Sequence, residues 1–176
     1  SLPDFLENGK FSGLNVTIPY KKAVIPFCKK LSPIAQKLGA VNTIVRCEDG
    51  SLAGHNTDYF GFSSMVKRSG LSLSGKKVLV LGSGGASATV VAVLQEIGAN
   101  AVVISRSGSN HYNNLHLHAD AAVIVNTTPV GMYPNTGVAP VSLDLFPKLE
   151  GVLDLIYNPA RTALLIQAEQ RNLVAM

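Results

Sequence analysis

Only two cysteines, Cys28 and Cys47, occur in the 176 residues, and their spacing matches no zinc or redox motif. Such a pair makes no disulfide framework, so reduced thiols and a cytoplasmic protein are expected. No apolar run is long enough to span a bilayer, and Ser1-Leu2-Pro3-Asp4-Phe5-Leu6 lacks the basic and apolar regions of a signal peptide. No membrane partner is therefore expected. Internal repeats and low-complexity segments are absent. Charge is sparse, at 15% Asp, Glu, Lys and Arg, with a net charge of +4 and a pI of about 9.1. The basic residues are scattered, and the Lys29-Lys30 and Lys76-Lys77 pairs build no long patch. That distribution argues against nucleic acid and for an anionic small molecule. His111, His116 and His118 have no carboxylate or cysteine at metal spacing, so no metal site is expected, and His55 reads as a structural or rim residue.

Hydrophobic residues make up 47% of the chain and the mean hydropathy is +0.25, enough to bury a core in one large or two small domains. Short β-rich runs alternate with a helical stretch from Leu14 to about Phe62, and Asp49-Gly50 marks a hairpin between Val41–Cys47 and Leu52–His55. From Thr57 the pattern turns helical, with Tyr59, Phe62 and Val66 as an apolar stripe and Gly70 as a stop. After Lys76-Lys77 a strand, tight turn, helix and strand follow each other, which is a βαβ unit. Ala122–Val125 and Val152–Ile156 read as further buried parallel strands, and Asn158-Pro159 offers an N-cap and first-turn proline for a closing helix. The expected organisation is α/β, with residues 1–70 forming a partial substrate domain plus connecting helix. Residues 71–176 form a Rossmann-like dinucleotide-binding domain and the start of a C-terminal helix.

Two segments carry candidate chemistry in the first part. In Gly13-Leu14-Asn15-Val16-Thr17-Ile18-Pro19-Tyr20-Lys21 the aliphatics Leu14, Val16 and Ile18 alternate with Asn15 and Thr17, so a half-buried strand sets amide and hydroxyl on one face. Pro19 ends the strand and suits the first turn of a helix through Ile25. Lys21 would then stand near a helix N-terminus, where the dipole disfavours its positive charge and eases proton exchange; the plain alternative is a solvated lysine. Gly54-His55-Asn56-Thr57-Asp58 forms a second polar cluster, in which Asp58 by itself reads first as a helix-start carboxylate with no catalytic role.

In the second part Gly82-Ser83-Gly84-Gly85-Ala86-Ser87 follows the aliphatic strand Val78–Leu81 and opens an alanine- and valine-rich helix, the context a dinucleotide fingerprint requires. Gly82 permits the tight turn, Gly84 lets the backbone approach a pyrophosphate, and the small Ser87 allows close helix packing. The second strand ends in Ser105-Arg106-Ser107 instead of the carboxylate that reads an unphosphorylated ribose. Arg106 can pair with a 2′-phosphate and both serines can donate to it, which favours NADP over NAD unless Arg106 is a solvated loop residue.

The N-V-T-x-P-x-K pattern ending at Lys21, the Gly39-Ala40-Val41-Asn42-Thr43 segment and the G-x-N-T-D pattern ending at Asp58 occur here in the order found in shikimate dehydrogenases, and the chain resembles that family. The resemblance implies that Lys21 and Asp58 are catalytic and that Asn15, Thr17 and Asn42 hold a hydroxylated ring. Asn126-Thr127-Thr128-Pro129-Val130-Gly131 is similar to the family's segment beside the cofactor. Asp154-Leu155-Ile156-Tyr157-Asn158-Pro159 is similar to another, which would set Leu155 near the nicotinamide and Tyr157 near the substrate. The implied reaction is NADPH-dependent, reversible reduction of 3-dehydroshikimate to shikimate in aromatic amino-acid biosynthesis, by a monomer or homodimer. The chain departs from the pattern in lacking the serine pair that grips the substrate carboxylate and the C-terminal glutamine segment. The stretch from Ser105 to Asn126 is short, as if one βα unit were reduced to a loop. A shortened chain or a truncated one is therefore expected, and a non-catalytic NADP-binding remnant or regulatory module stays open beside the enzyme, as does a relative acting on quinate.

Overall fold

Alternation near the start of the chain makes strand β1 (Gly13–Asn15) and runs on past its end: Leu14 and Val16 pack inward while Asn15 and Thr17 are exposed. The structure is a computed structural model that describes residues 2–17 and 19–176; Ile18, the third aliphatic of the expected alternation, lies outside the described residues. Helix α1 (Leu2–Asn8) precedes β1, followed by β2 (Lys30–Leu31), α2 (Pro33–Leu38), β3 (Thr43–Arg46) and β4 (Leu52–His55). The four strands lie in the order β1-β3-β4-β2, antiparallel except for the β4–β2 pair. The expected hairpin joins β3 to β4: Cys47 N donates to Ser51 O at 2.8 Å, and Gly50 takes φ +80° at the turn, where a side chain would be strained. Leu6, Val24, Ala35, Val41, Ile44 and Leu52 form the core of this unit. Arg46 ties α1 to the hairpin by donating to the carbonyls of Leu6, Gly9, Phe11 and Gly50, with its guanidinium 4.3 Å from the centre of the Phe11 ring. Most of its N–H donors are thereby occupied, so Arg46 is a structural cation.

The helix expected from Pro19 to Ile25 does not form. Hydrogen-bonded turns run through this segment and end in a 3-10 helix at Ile25–Phe27. Two features break the α-helical ladder. The Lys21 carbonyl accepts from Val41 N at 2.8 Å instead of from the fourth residue on, and Pro26 has no N–H to give Lys22. The dipole argument for Lys21 therefore falls away, and its environment is set by the side chain it meets.

Helix α3 (Asp58–Ser69) buries Tyr59, Phe62 and Val66 along one stripe, and Gly70 follows it at φ +71°. The chain divides into two compact units, one ending at Gly61 and the other starting at Phe62, a division that falls inside α3. In the second unit β5 (Lys77–Leu81), α4 (Gly85–Ile97) and β6 (Asn100–Ile104) form the βαβ unit. They are followed by β7 (Val123–Asn126), β8 (Gly151–Asp154), α5 (Ala163–Gln170) and β9 (Val174–Ala175). All five strands are parallel, in the order β6-β5-β7-β8-β9. β5, β7 and β8 are continuous aliphatic runs with almost no exposed residue, as strands covered on both faces must be. The architecture is a Rossmann-like α/β sheet.

Two expectations fail near the end of the chain. The closing helix begins at Ala163, capped by Thr162, whose hydroxyl accepts from Leu165 N at 3.3 Å. Asn158 does not cap it, because its carbonyl accepts from Tyr133 N at 3.0 Å and is taken out of a helical ladder. The chain then adds β9, in which Val174 and Ala175 pair with Gly151 and Val152, where only a helix start was expected. Two residues are too short a run to carry a strand period.

Candidate functional site

In the first unit Lys21 Nζ lies 2.7 Å from Asp58 Oδ2, with the lysine side chain 19% and the carboxylate 42% exposed. Lys21 sits on the turn after β1 and Asp58 is the first residue of α3, so the pair joins segments 37 residues apart. Their backbones are held by interlocking loops. Val41 N donates to Lys21 O at 2.8 Å, Val16 N to Asn42 O at 2.7 Å and Asn42 N to His55 O at 3.0 Å. Asn56, 2% exposed, donates from Nδ2 to Ala40 O at 3.1 Å and accepts from Tyr59 N at 3.3 Å, which fixes where α3 begins.

Asn42, 8% exposed, is the hub of this network. Its Oδ1 accepts from Thr57 N at 2.9 Å, Thr57 Oγ1 at 3.2 Å and Thr43 Oγ1 at 3.0 Å, and its Nδ2 lies 3.0 Å from Thr57 Oγ1. That leaves one amide hydrogen for a ligand, so Asn42 holds the loop before Asp58 at least as much as it can hold a ring. Thr57 is the residue the motif reading passed over, although its place between Asn56 and Asp58 made it a candidate partner. Asn15 and Thr17 stand exposed on the polar side of the strand, as their alternation required. The ensemble is a lysine–carboxylate pair at the mouth of a bonded polar loop, able to give or take a proton at a ligand oxygen.

In the second unit Gly82, Asn126 and Thr127 converge at the C-terminal ends of β5 and β7, where the strand order switches direction and α/β sheets bind ligands. Thr127 donates to Leu81 O both from its backbone, at 3.0 Å, and from Oγ1, at 2.6 Å. Gly82 has φ +102°, and a Cβ there would come within 3.0 Å of Thr127 Oγ1 and Thr128 Cγ2, so both conformation and space demand glycine. Gly84 is the N-cap of α4 and makes no side-chain cap bond; added Cβ atoms at Gly84 and Gly85 would meet nothing within 4 Å. Ser83, Gly84 and Gly85 are exposed at the start of α4, while half-buried Ala86 and buried Ser87 pack inward. A helix N-terminus approached without side chains fits the pyrophosphate of a dinucleotide.

At the end of β6, Arg106 and Ser107 are exposed and Ser105 is half-buried. Ser105 Oγ accepts from Gly108 N at 2.8 Å, which leaves its own hydrogen to donate. Asn126 is fully buried and bonded within the protein. Its Nδ2 reaches Asp154 Oδ1 at 3.1 Å, and its Oδ1 accepts from Thr128 N at 3.0 Å and Thr128 Oγ1 at 2.8 Å. The side chain expected beside a cofactor therefore shapes the loop instead of facing outward. Asp154 Oδ1 also accepts from Ile156 N at 3.0 Å, and Asp154 Oδ2 accepts from Thr162 Oγ1 at 2.8 Å. Burial pushes the Asp154 carboxyl above its ordinary value despite these donors. Leu155 is half-buried with its N–H on Asn126 O at 3.1 Å, and Tyr157 is 89% exposed.

A sequence profile of the shikimate dehydrogenase substrate binding domain matches residues 2–44. The chain is 40% identical over 178 residues to the shikimate dehydrogenase (NADP(+)) of Shouchella clausii (strain KSM-K16), covering 90% of this chain and 64% of that protein. To the shikimate dehydrogenase (NADP(+)) of Syntrophomonas wolfei it is 35% identical over 199 residues, 99% of this chain and 68% of that one. The solved shikimate 5-dehydrogenase from Thermus thermophilus, in complex with NADP(H) and shikimate, superimposes with a TM-score of 0.85 at 34% identity, covering 99% of this chain and 70% of that chain. The chain belongs to the shikimate dehydrogenase family, and it spans 64% of the length of the Shouchella clausii relative. No helix among the described residues is long and apolar enough to cross a membrane.

Proposed function

We propose that the chain carries out the NADPH-dependent, reversible reduction of 3-dehydroshikimate to shikimate. The observation that carries this reading is the Lys21–Asp58 pair at 2.7 Å, fixed by the Asn42–Thr57 network in a family whose relatives bear that activity in their names. Asn15, Thr17 and the remaining amide hydrogen of Asn42 would bind ring hydroxyls. Lys21 would give a proton to the substrate oxygen as charge develops there and take it back in the reverse direction, while Asp58 holds the amine in place. NADPH, when bound, supplies the hydride. The helix start at Gly84 and Gly85 would receive its pyrophosphate, and Arg106 with Ser105 and Ser107 its 2′-phosphate.

The test is direct: purified protein, shikimate and NADP are mixed and the absorbance of reduced nucleotide is followed, with quinate and NAD as competing choices. Protein that binds NADPH in a fluorescence titration yet forms none from saturating shikimate or quinate would be a cofactor-binding module without turnover. Faster turnover of quinate than of shikimate would reassign the substrate.

The cofactor choice has its own test in Arg106→Ala. Losing charge-assisted hydrogen bonds worth about 1.5–3 kcal/mol should weaken NADP binding by roughly 10- to 150-fold and leave NAD binding within about twofold. Equal losses for the two nucleotides would mean that Arg106 does not read the 2′-phosphate.

A further inference from the structure

The path from the end of β6 at Ile104 to the start of β7 at Val123 holds Arg106 in a small closed loop. Ser105 N donates to Asn110 O at 3.0 Å, and Ser105 forms an isolated parallel bridge with His111. Inside the loop Gly108 N donates to Ser105 Oγ, and a Cβ on Gly108 would lie 2.6 Å from that oxygen. Asn114 braces the far side, accepting from His111 N at 2.8 Å and donating to Ser109 O at 2.9 Å.

One further contact fastens the loop from within. His118, at the end of the 3-10 helix Tyr112–His118, is 9% exposed, and its Nε2 lies 3.2 Å from Asn110 Oδ1. An amide oxygen only accepts, so Nε2 carries the proton and donates. Nδ1 is then an acceptor, and it is buried with no hydrogen-bond partner. Burial and the Lys77 ammonium, followed by the opposing Asp120 carboxylate and by His116, leave the ring with a lowered affinity for a second proton, in keeping with one donor at Nε2. A leucine would fill this position without stranding a polar atom, so what the imidazole adds is its single bond to Asn110.

We propose that His118 and Asn110 are positioning residues for cofactor choice: their hydrogen bond holds the Ser105–Asn110 loop so that Arg106 and its serines are preorganised for the 2′-phosphate of NADP. This rests on the reading of Arg106 given above. A loop already in its binding conformation loses less freedom when the phosphate docks, and a nucleotide without that phosphate gains nothing from the order.

The experiment is a pair of fluorescence titrations, with NADPH and with NADH, on the native protein and on His118→Leu, His118→Gln and Asn110→Ala. Losing one neutral hydrogen bond should weaken NADPH by about 3- to 10-fold in His118→Leu and Asn110→Ala, with NADH changed by less than about twofold. His118→Gln keeps a donor on a side chain of similar reach and should restore most of the NADPH affinity. The clamp is refuted if native discrimination persists unchanged in His118→Leu and Asn110→Ala, if both nucleotides weaken together, or if His118→Gln is as weak as His118→Leu. Native protein that binds the two nucleotides equally would instead overturn the Arg106 reading, and the clamp's role with it.

Discussion

Lys21→Ala should lower kcat by about 10²–10⁴-fold, the usual range for removing a positioned acid or base, with a much smaller change in KM. The proton is needed when charge develops on the substrate oxygen, so the contact counts most in the transition state. Folding should be little affected: an ion pair with side chains 19% and 42% exposed contributes on the order of 0–1 kcal/mol. A thermal melt beside the kinetics separates the two roles. Asp58→Asn should act in the same direction, and the double variant should lose far less than the product of the single effects because the two side chains act as a unit. Near-native kcat with a raised KM in Lys21→Ala would make the lysine a binding residue only.

Asp154→Ala should destabilise the protein by about 3–5 kcal/mol, because Asn126 Nδ2, Ile156 N and Thr162 Oγ1 would lose their acceptor in a site that is 3% exposed. The isosteric Asp154→Asn should keep most of that stability: its oxygen can serve Asn126 and Ile156, and its amino group can donate to the Thr162 hydroxyl. The two variants also separate packing from charge. Burial raises the Asp154 carboxyl above its ordinary value, so the folded state binds this proton more tightly than the unfolded chain. The contribution of this group is fully present below the unfolded value and is lost as pH rises through the folded one. Urea melts at about pH 4 and about pH 7 should therefore show the native protein losing more stability over that interval than Asp154→Asn loses. A loss below about 1 kcal/mol in Asp154→Ala would mean that this side chain is not what ties these loops together, and parallel pH behaviour would mean that the fold does not hold its proton more tightly than the unfolded chain does.

Residues with a strong period or a required backbone conformation declared themselves in the sequence. Asp49-Gly50 between two β-rich runs is a strong hairpin signal and joins β3 to β4, and the Tyr59, Phe62 and Val66 stripe buried as a helix face should. Gly82-x-Gly84-x-x-Ser87 after an aliphatic strand placed a turn and a helix N-terminus where both are found, because the constraints are local. The failures came where a distant partner takes a backbone group. The helix after Pro19 is pre-empted by Val41 binding the Lys21 carbonyl, and the Asn158 cap by Tyr133.

By itself the sequence determined the α/β class, the strand–glycine–helix unit and the residue types available for proton transfer and phosphate binding, since these follow from local pattern and side-chain chemistry. Tertiary structure brought Lys21 to Asp58 across 37 residues, and it alone decided that Asn42 and Asn126 serve as loop braces and that His118 bonds to the loop of Arg106. Those pairings depend on which chain segments pack together, and a buried polar group must bond whatever the fold brings within reach.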